Sequence, residues 1–495
     1  MTDNRPDMPG SPAIGISTGD EVVLGEGREI SIDDPATGQS LLRYREPLRA
    51  QVDACVARAV ESQREWIGLT AAERGRRLHA VGRAVRDALP ELARLEAQNT
   101  GKPVHDARAE VQAVAEMFEY YAGWCDKQTG DVLAVPTTHL NYTQRVPYGV
   151  VAAITPWNAP IFTCGWQVAP ALAAGNAIVV KPSEHTPVTS TALAGLAHAA
   201  GLPAGLFSVV SGTGLTSGEP LVEHPEIRKV IFIGSPHTGA IIAAKAASHL
   251  KPCVLELGGK SANIIFADAD LERAARGAAG AIFSGAGQSC VAGSRLLIHD
   301  AVYDEVIRKL RDIAAQVRVG NPEDPDVQMG PLQNRAQFER VKSLLDSYDG
   351  KTAFGGYGPT TTGADEAGFY IRPTILEPSS NDAELARTEI FGPVVAALPF
   401  SDETEAVNLA NDSRFGLAGA VWTSDVARAH RVAGKLTAGT VWVNSYKTIH
   451  VMSPFGGFKD SGYGRSSGQE GLYEYSQPRS IWVETSEHPN PIGGY

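Results

Sequence analysis

The chain has 495 residues, 43% of them hydrophobic and 20% charged, and its 44 Lys and Arg against 56 Asp and Glu leave a formal net charge of -12. That length suits two or three domains rather than one core, and the acidic balance argues against a nucleic-acid partner. No apolar run approaches the roughly 18 residues of a membrane span. The N-terminal MTDNRPDMPGSPAIG has no apolar core segment, and Cys55, Cys125, Cys164, Cys253 and Cys290 form no Cys-x-x-Cys pair. These features predict a cytoplasmic protein with free thiols, no membrane association, no metal site and a flexible N-terminal arm.

Between residues 48 and 128 the apolar positions recur at helical spacing, as in AQVDACVARAVESQREWIG, and Gly101 followed by Lys102 and Pro103 reads as a helix stop. The period then changes. VPYGVVAAITPW, AIVVKPSE, FSVVSG and KVIFIGS are β-rich runs separated by helix-like stretches such as the Ala-rich segment 190–200. Strands alternating with helices predict a doubly wound parallel sheet. After Gly259 a second series follows, SANIIFA, SRLLIHD, PTILEP, VVAALPF, GAVWTSD and GTVWVNS, with helical segments at 301–317 and 402–411. It predicts a second α/β domain. The chain closes on RSIWVET, a strand with no local partner that pairs with another element or another subunit, and on a loose tail, SEHPNPIGGY.

The motifs that carry chemistry each have an ordinary reading when taken alone. Asn158 in TPWNAP is an amide donor after a strand, or a turn residue. Lys181 and Glu184 stand where parallel strands end and ligands bind, though both residue types suit any surface. In SGTGLTSG, Gly212 and Gly214 miss the G-x-G-x-x-G register by one position and read equally as a strand-to-helix turn. Gly234 and Ser235 enter a helix whose N-terminal amides can hold an anion. Glu256 in LELGGK and Cys290 in SGAGQSCVAGSR offer a base and a nucleophile, while a lone cysteine is more often a buried small hydrophobe. Glu389 and Phe391 in EIFGPVV, and Phe455 and Phe458 in the glycine-rich SPFGGFKDSGYGR, suit a ligand or a plain loop.

Taken together, TPWN, VVKPSE, GSPHTG, ELGGKSANIIF, AGQSCVAGSR, EIFGPV and SPFGGFKDSGYGR resemble the aldehyde dehydrogenase superfamily, in its order and spacing, over essentially the full length. The resemblance implies an α/β fold of two doubly wound parallel-sheet domains and a small β bridging element. Residues 1–129 and 148–257 would bind cofactor, 258–475 would form the catalytic domain, and 130–147 with 476–495 would bridge subunits of a homodimer or homotetramer. It makes Cys290 the nucleophile, Glu256 the general base and Asn158 the oxyanion donor. Lys181, Glu184, Gly214, Gly234, Ser235, Gly239, Glu389 and Phe391, with Trp157 and Leu257, would meet the cofactor. Ala159, Thr163, Ser284, Ser289, Val291, Lys447, Ile449 and Phe455 would form the substrate pocket. The implied reaction oxidises an aldehyde to the acid with NAD, through a thioester on Cys290 that Glu256-activated water hydrolyses. Glu184 would disfavour NADP by repelling its 2′-phosphate without excluding it.

Two rival functions remain on the sequence: a CoA-acylating enzyme, against which Glu256 stands, and a non-catalytic protein, against which the retained Cys290, Glu256, Asn158 and Lys181 stand. Departures from the family pattern are also visible. Gly285 replaces a frequent Asn, and Ser466 follows Arg465 where the family often has Glu. Ala159, Thr163 and Ser284 are small, which predicts a wide pocket. Lys447 and His450 in YKTIHVM suit either a carboxylate-bearing aldehyde or solvent.

Overall fold

A capping box shows how the helical layer is set locally. Thr70 Oγ1 accepts from Glu73 N at 3.3 Å and the Glu73 carboxylate accepts from Thr70 N at 2.9 Å, which starts one helix two residues after another has ended. The computed structural model describes Met8 and residues 10–487; residues 1–7 and 9 of the expected arm and 488–495 of the expected tail lie outside the described residues. The layer comprises α1 (Arg49–Gly68), α2 (Ala71–Asp87), α3 (Leu89–Thr100) and α4 (Val104–Ala122). Gly101 stops α3 in a left-handed conformation, φ 78°. The apolar stripe of Val52, Val56, Leu78, Val81, Val111, Val114 and Phe118 is buried in one core with the first sheet.

That sheet is built on five parallel strands, β1 (Val150–Ile154), β2 (Ala177–Lys181), β3 (Phe207–Val210), β4 (Ile227–Ile233) and β5 (Cys253–Glu256), in the spatial order β3-β2-β1-β4-β5. Strands buried on both faces need the near-continuous Val, Ile and Ala runs seen here. The order reverses between β1 and β4, and the crevice outside their carboxyl ends is where such sheets bind ligands. Antiparallel edges close the sheet, Ile16–Ser17 against β3 and Gly462–Tyr463 against β5.

The described part of the N-terminal segment is not a free arm. Met8 and Ile14 are buried with Ile32, Leu42, Tyr44 and Leu95, and Ile16 enters the sheet. Its few apolar residues, spaced among Gly, Pro and Ser, carry no periodicity to announce this. The hairpin Glu29–Asp33 with Ser40–Arg45 was equally unannounced, since its outward positions are Glu, Ser and Arg.

The second sheet has six parallel strands, β6 (Ala262–Ile265), β7 (Arg295–His299), β8 (Thr374–Glu377), β9 (Val394–Phe400), β10 (Ala418–Trp422) and β11 (Thr440–Val443), in the order β8-β9-β7-β6-β10-β11 with Lys351–Phe354 antiparallel at one edge. The partner of the last strand is internal: Ser476–Glu484 pairs antiparallel with His139–Pro147 along its whole length, and Val132–Leu133 extends this third sheet. Val132, Leu133, Leu140, Trp482 and Val483 are exposed on it. Among the described residues no helix is long and apolar enough to cross a membrane.

Candidate active site

The carboxyl ends of β1, β4 and β5 open onto a cavity of about 520 Å³ whose far wall comes from the second half of the chain. The loop after β1 presents Trp157 and Asn158 before α5 (Pro160–Ala173), which starts on Pro160. Asn158 Nδ2 donates to the carbonyl of Gln288 at 2.8 Å, so the amide is fixed two residues from Cys290. The turn that delivers Cys290 runs left-handed, with φ 65° at Gly285 and 68° at Gly287. This accounts for Gly285 and Gly287, because glycine enters that region at least cost.

Cys290 is half-buried. Burial, with the charges of Glu389 and Glu256, pushes its thiol up to about 12. Glu256 ends β5 only 6% exposed, and neither carboxylate oxygen has a hydrogen-bond partner among the described residues. Burial raises it to about 8, against the pull of Ser466 and Arg465.

Glu389 enters from the opposite side. Its Oε1 accepts from Gly259 N at 2.9 Å, and burial lifts it to about 7. A Cβ on Gly258 would lie 2.0 Å from Glu389 Oε2, so the close approach requires glycine. Phe391 holds a left-handed φ of 57° and meets Trp157 edge-on, ring centroids 5.2 Å apart. That strained loop is clamped from Arg335–Asp346: Gln337 Nε2 donates to the carbonyls of Ile390 and Phe391, and Arg340 to those of Ile390 and Glu389.

Ser235 caps α6 (Pro236–Ser248), its Oγ accepting from Thr238 N at 3.2 Å. Gly234 packs on the Phe232 ring, and Gly239 on Leu257, where a Cβ would come within 2.6 Å of Leu257 Cδ2. Lys181, 3% exposed, ends β2 beside Ile154 and pairs with Glu184 at 3.3 Å. Burial lowers the lysine pKa, and Lys181 draws the Glu184 carboxyl down against the effect of its own burial. Gly214 opens a single helical turn after β3, with open space where a Cβ would stand.

Asn158, Cys290, Glu256, Trp157, Gly234, Ser235, Leu257, Glu389, Phe391, Ala159, Thr163, Ser289, Val291, Ile449 and Phe455 line the one cavity. Lys181, Glu184, Gly214 and Gly239 lie beyond this lining on the sheet side. Ser284 and Lys447 are also outside it: Lys447 Nζ donates to the Ser284 carbonyl at 3.2 Å, and burial lowers its pKa to about 8 with Asp106 opposing. The lining contains residues that the motifs did not flag, namely Glu110, Phe162, Trp166, Gln167, Gln337 and Arg340. Phe162 stacks edge-on against Trp166, and Trp166 against Phe455, at 4.5 and 5.3 Å. Trp166 was within reach of sequence reasoning, since Ala159, Thr163 and Trp166 recur at the spacing of one helix face. Glu110 comes from α4, far from any motif.

A model described as the aldehyde dehydrogenase family matches residues 23–481. Betaine aldehyde dehydrogenase from Brucella anthropi is 40% identical over 469 residues, 94% of this chain and 96% of that protein. Among solved structures, PnpE from Pseudomonas sp. WBC-3 superposes with a TM-score of 0.93 at 40% identity over 97% of this chain and 99% of that one, and PnpE in complex with nicotinamide adenine dinucleotide with a TM-score of 0.94 at 41% identity over 96% and 99%. Betaine aldehyde dehydrogenase from Staphylococcus aureus in complex with NAD+ gives 0.93 at 34% identity over 97% of each chain. The chain therefore belongs to the aldehyde dehydrogenase family of oxidoreductases, and its two doubly wound sheets with the small third sheet are that family's fold.

Proposed function

We propose that this chain oxidises an aldehyde to the carboxylic acid with NAD, with Cys290 as nucleophile, Glu256 as general base and Asn158 as oxyanion donor. The observation that carries this reading is the meeting of a thiol, an unpartnered buried carboxylate and an oriented amide in one cavity. The Cys290 thiolate attacks the aldehyde carbon, and the oxygen that gains charge is held by the second N–H of Asn158 and the Cys290 backbone amide. Loss of hydride leaves a thioester. Glu256 takes a proton from the attacking water, the C–S bond breaks and the Cys290 thiolate is restored.

The residues present fit a dinucleotide. Open space stands over Gly214, Gly239 keeps the start of α6 against Leu257, and the Lys181–Glu184 pair sits at a strand end. With Ser235, Gly234, Trp157, Glu389 and Phe391 they would hold NAD, and Glu184 disfavours NADP. When bound, the nicotinamide supplies the hydride acceptor. Phe162, Trp166 and Phe455 suit an aldehyde with an apolar or aromatic body.

The same reading divides the chain into cofactor-binding (1–129, 148–257), catalytic (258–475) and bridging (130–147, 476–495) parts. The exposed Val132, Leu133, Leu140, Trp482 and Val483 support a bridging role in a homodimer or homotetramer, and the unpaired cysteines support a cytoplasmic location. Formation of reduced NAD with an aldehyde panel, with and without CoA, tests the reaction. We expect turnover without CoA and none in Cys290→Ala; a strict CoA requirement would overturn the hydrolytic reading.

A further inference from the structure

Behind Glu256 lies a run of buried, uncharged polar groups for which the reaction as described has no use. Tyr475 OH donates to Gln167 Oε1 at 2.7 Å. Gln167 Nε2 donates in turn to Ser466 Oγ at 3.5 Å. All three side chains are nearly shut from solvent, and Gln167 and Ser466 also line the cavity beside Glu256. Each is held from elsewhere. Ser466 exchanges both backbone hydrogen bonds with Phe455 at 2.7 Å, the Tyr475 carbonyl accepts from Asn176 Nδ2 at 2.8 Å, and Gln167 projects from the middle of α5.

The direction of the chain follows from donor accounting. A buried phenol proton must find an acceptor, and for Tyr475 this is Gln167 Oε1, which fixes the amide with its nitrogen toward Ser466. Ser466 Oγ then accepts, so its own proton remains to be donated, since a hydroxyl has one donor and two lone pairs. The Glu256 oxygens, in turn, make no hydrogen bond of normal length and angle among the described residues, and Ser466 is the neighbour whose hydroxyl and backbone N–H pull toward their charged form. One group in the cavity holds an unspent O–H, and its neighbour lacks one.

We propose that Tyr475, Gln167 and Ser466 form a positioning chain that presents the Ser466 hydroxyl to the Glu256 carboxylate and favours its charged form. This rests on the assignment of Glu256 as the base. The charged and titratable groups that face Glu256 are Arg465 and Glu474 from the segment after Gly462, Cys290 from the left-handed turn, and Tyr475 itself; Glu474 is already tied to Lys229 at 2.6 Å. None of these carries an O–H that can replace the one from Ser466 without breaking the chain. The function is therefore to set the pH at which the base works, with no second carboxylate in the chain.

The test uses p-nitrophenyl acetate, which acylates a cysteine thiol without cofactor, and follows loss of the acetyl group from Cys290 by intact-protein mass spectrometry as a function of pH. A hydrogen bond to a charged group shifts its pKa by about one unit. Ser466→Ala should therefore move the acid limb of deacylation up by roughly that amount, Ser466→Thr should restore it, and Tyr475→Phe should move it in the same direction. A Ser466→Ala profile superimposable on the wild type overturns the proposal. A shift in Ser466→Ala with none in Tyr475→Phe overturns the role of Tyr475 and Gln167. Glu256→Gln is the separate control: wild-type deacylation in that variant overturns the base assignment itself, whatever Ser466 does.

Discussion

The Asn158 side-chain amide donates to the Gln288 carbonyl at 2.8 Å, joining the loop after β1 to the turn that carries Cys290. An amide nitrogen has two protons; one is spent on this bond and orients the other. Asn158→Ala removes both, and kcat should fall about 10²- to 10³-fold, the loss expected for one oxyanion donor. NAD affinity, read by fluorescence titration, should stay within about twofold, because Lys181, Glu184 and Glu389 are untouched. A kcat near wild type would exclude the oxyanion role.

Glu389 rests against Gly258 with room for no side chain between them, since a Cβ there would be 2.0 Å from Oε2. Gly258→Ala should drive the carboxylate away and break its bond to Gly259 N. The expected kinetic result is a KM for NAD raised about tenfold or more, the order of one lost charge-assisted hydrogen bond, with a smaller change for the aldehyde. An unchanged KM for NAD would show that Glu389 does not hold the cofactor.

Burial, Glu389 and Glu256 together keep Cys290 protonated, its thiol pushed up to about 12. Because the thiolate is the reactive form, alkylation of Cys290 by iodoacetamide in the cofactor-free protein should keep rising with pH past the ordinary thiol range of about 8.5. Glu389→Gln removes one of the opposing charges and should speed alkylation between about pH 7, above which Glu389 is charged, and that plateau. Peptide mapping measures both, and a plateau in the ordinary range would contradict the burial argument.

Glu256 gains stability consequences from its position. Its carboxyl is raised from 4.5 to about 8 in the folded protein, so between those values the folded chain keeps a proton that the unfolded chain has released. Stability therefore falls as pH rises across that window and the loss is complete above it. Glu256→Gln cannot ionise. Its unfolding free energy, read from urea titrations, should match the wild type near pH 5 and exceed it near pH 8 by about 2–4 kcal/mol. Parallel curves would mean that the carboxylate is stabilised in a way the structure does not record.

Much of this was legible in the sequence where chemistry and conformation are local. The helices α1 to α4 follow from apolar spacing and a stop at Gly101, and the alternation of strands and helices follows from the change of period. Cys290, Glu256 and Asn158 sit at strand ends or in a left-handed turn, where short motifs are visible, and they do meet in one cavity. What stayed hidden depends on tertiary approach. Glu110 reaches the cavity from the middle of a helix, Gln337 and Arg340 act through backbone carbonyls of another segment, and Gln167 has meaning only once Tyr475 and Ser466 are brought to it. Lys447 shows the converse, a residue flagged by its loop whose ammonium is directed to the Ser284 carbonyl instead. Met8 and Ile14 were hidden because burial of isolated apolar residues leaves no period.

Acyl transfer through Cys290 with release by Glu256 is tested by Glu256→Gln mixed with NAD and an aldehyde, quenched in acid and mapped by mass spectrometry. A single burst of reduced NAD is expected, about one equivalent per site, with the acyl mass on the peptide containing Cys290. Steady turnover without that adduct, or the adduct on another cysteine, would contradict it.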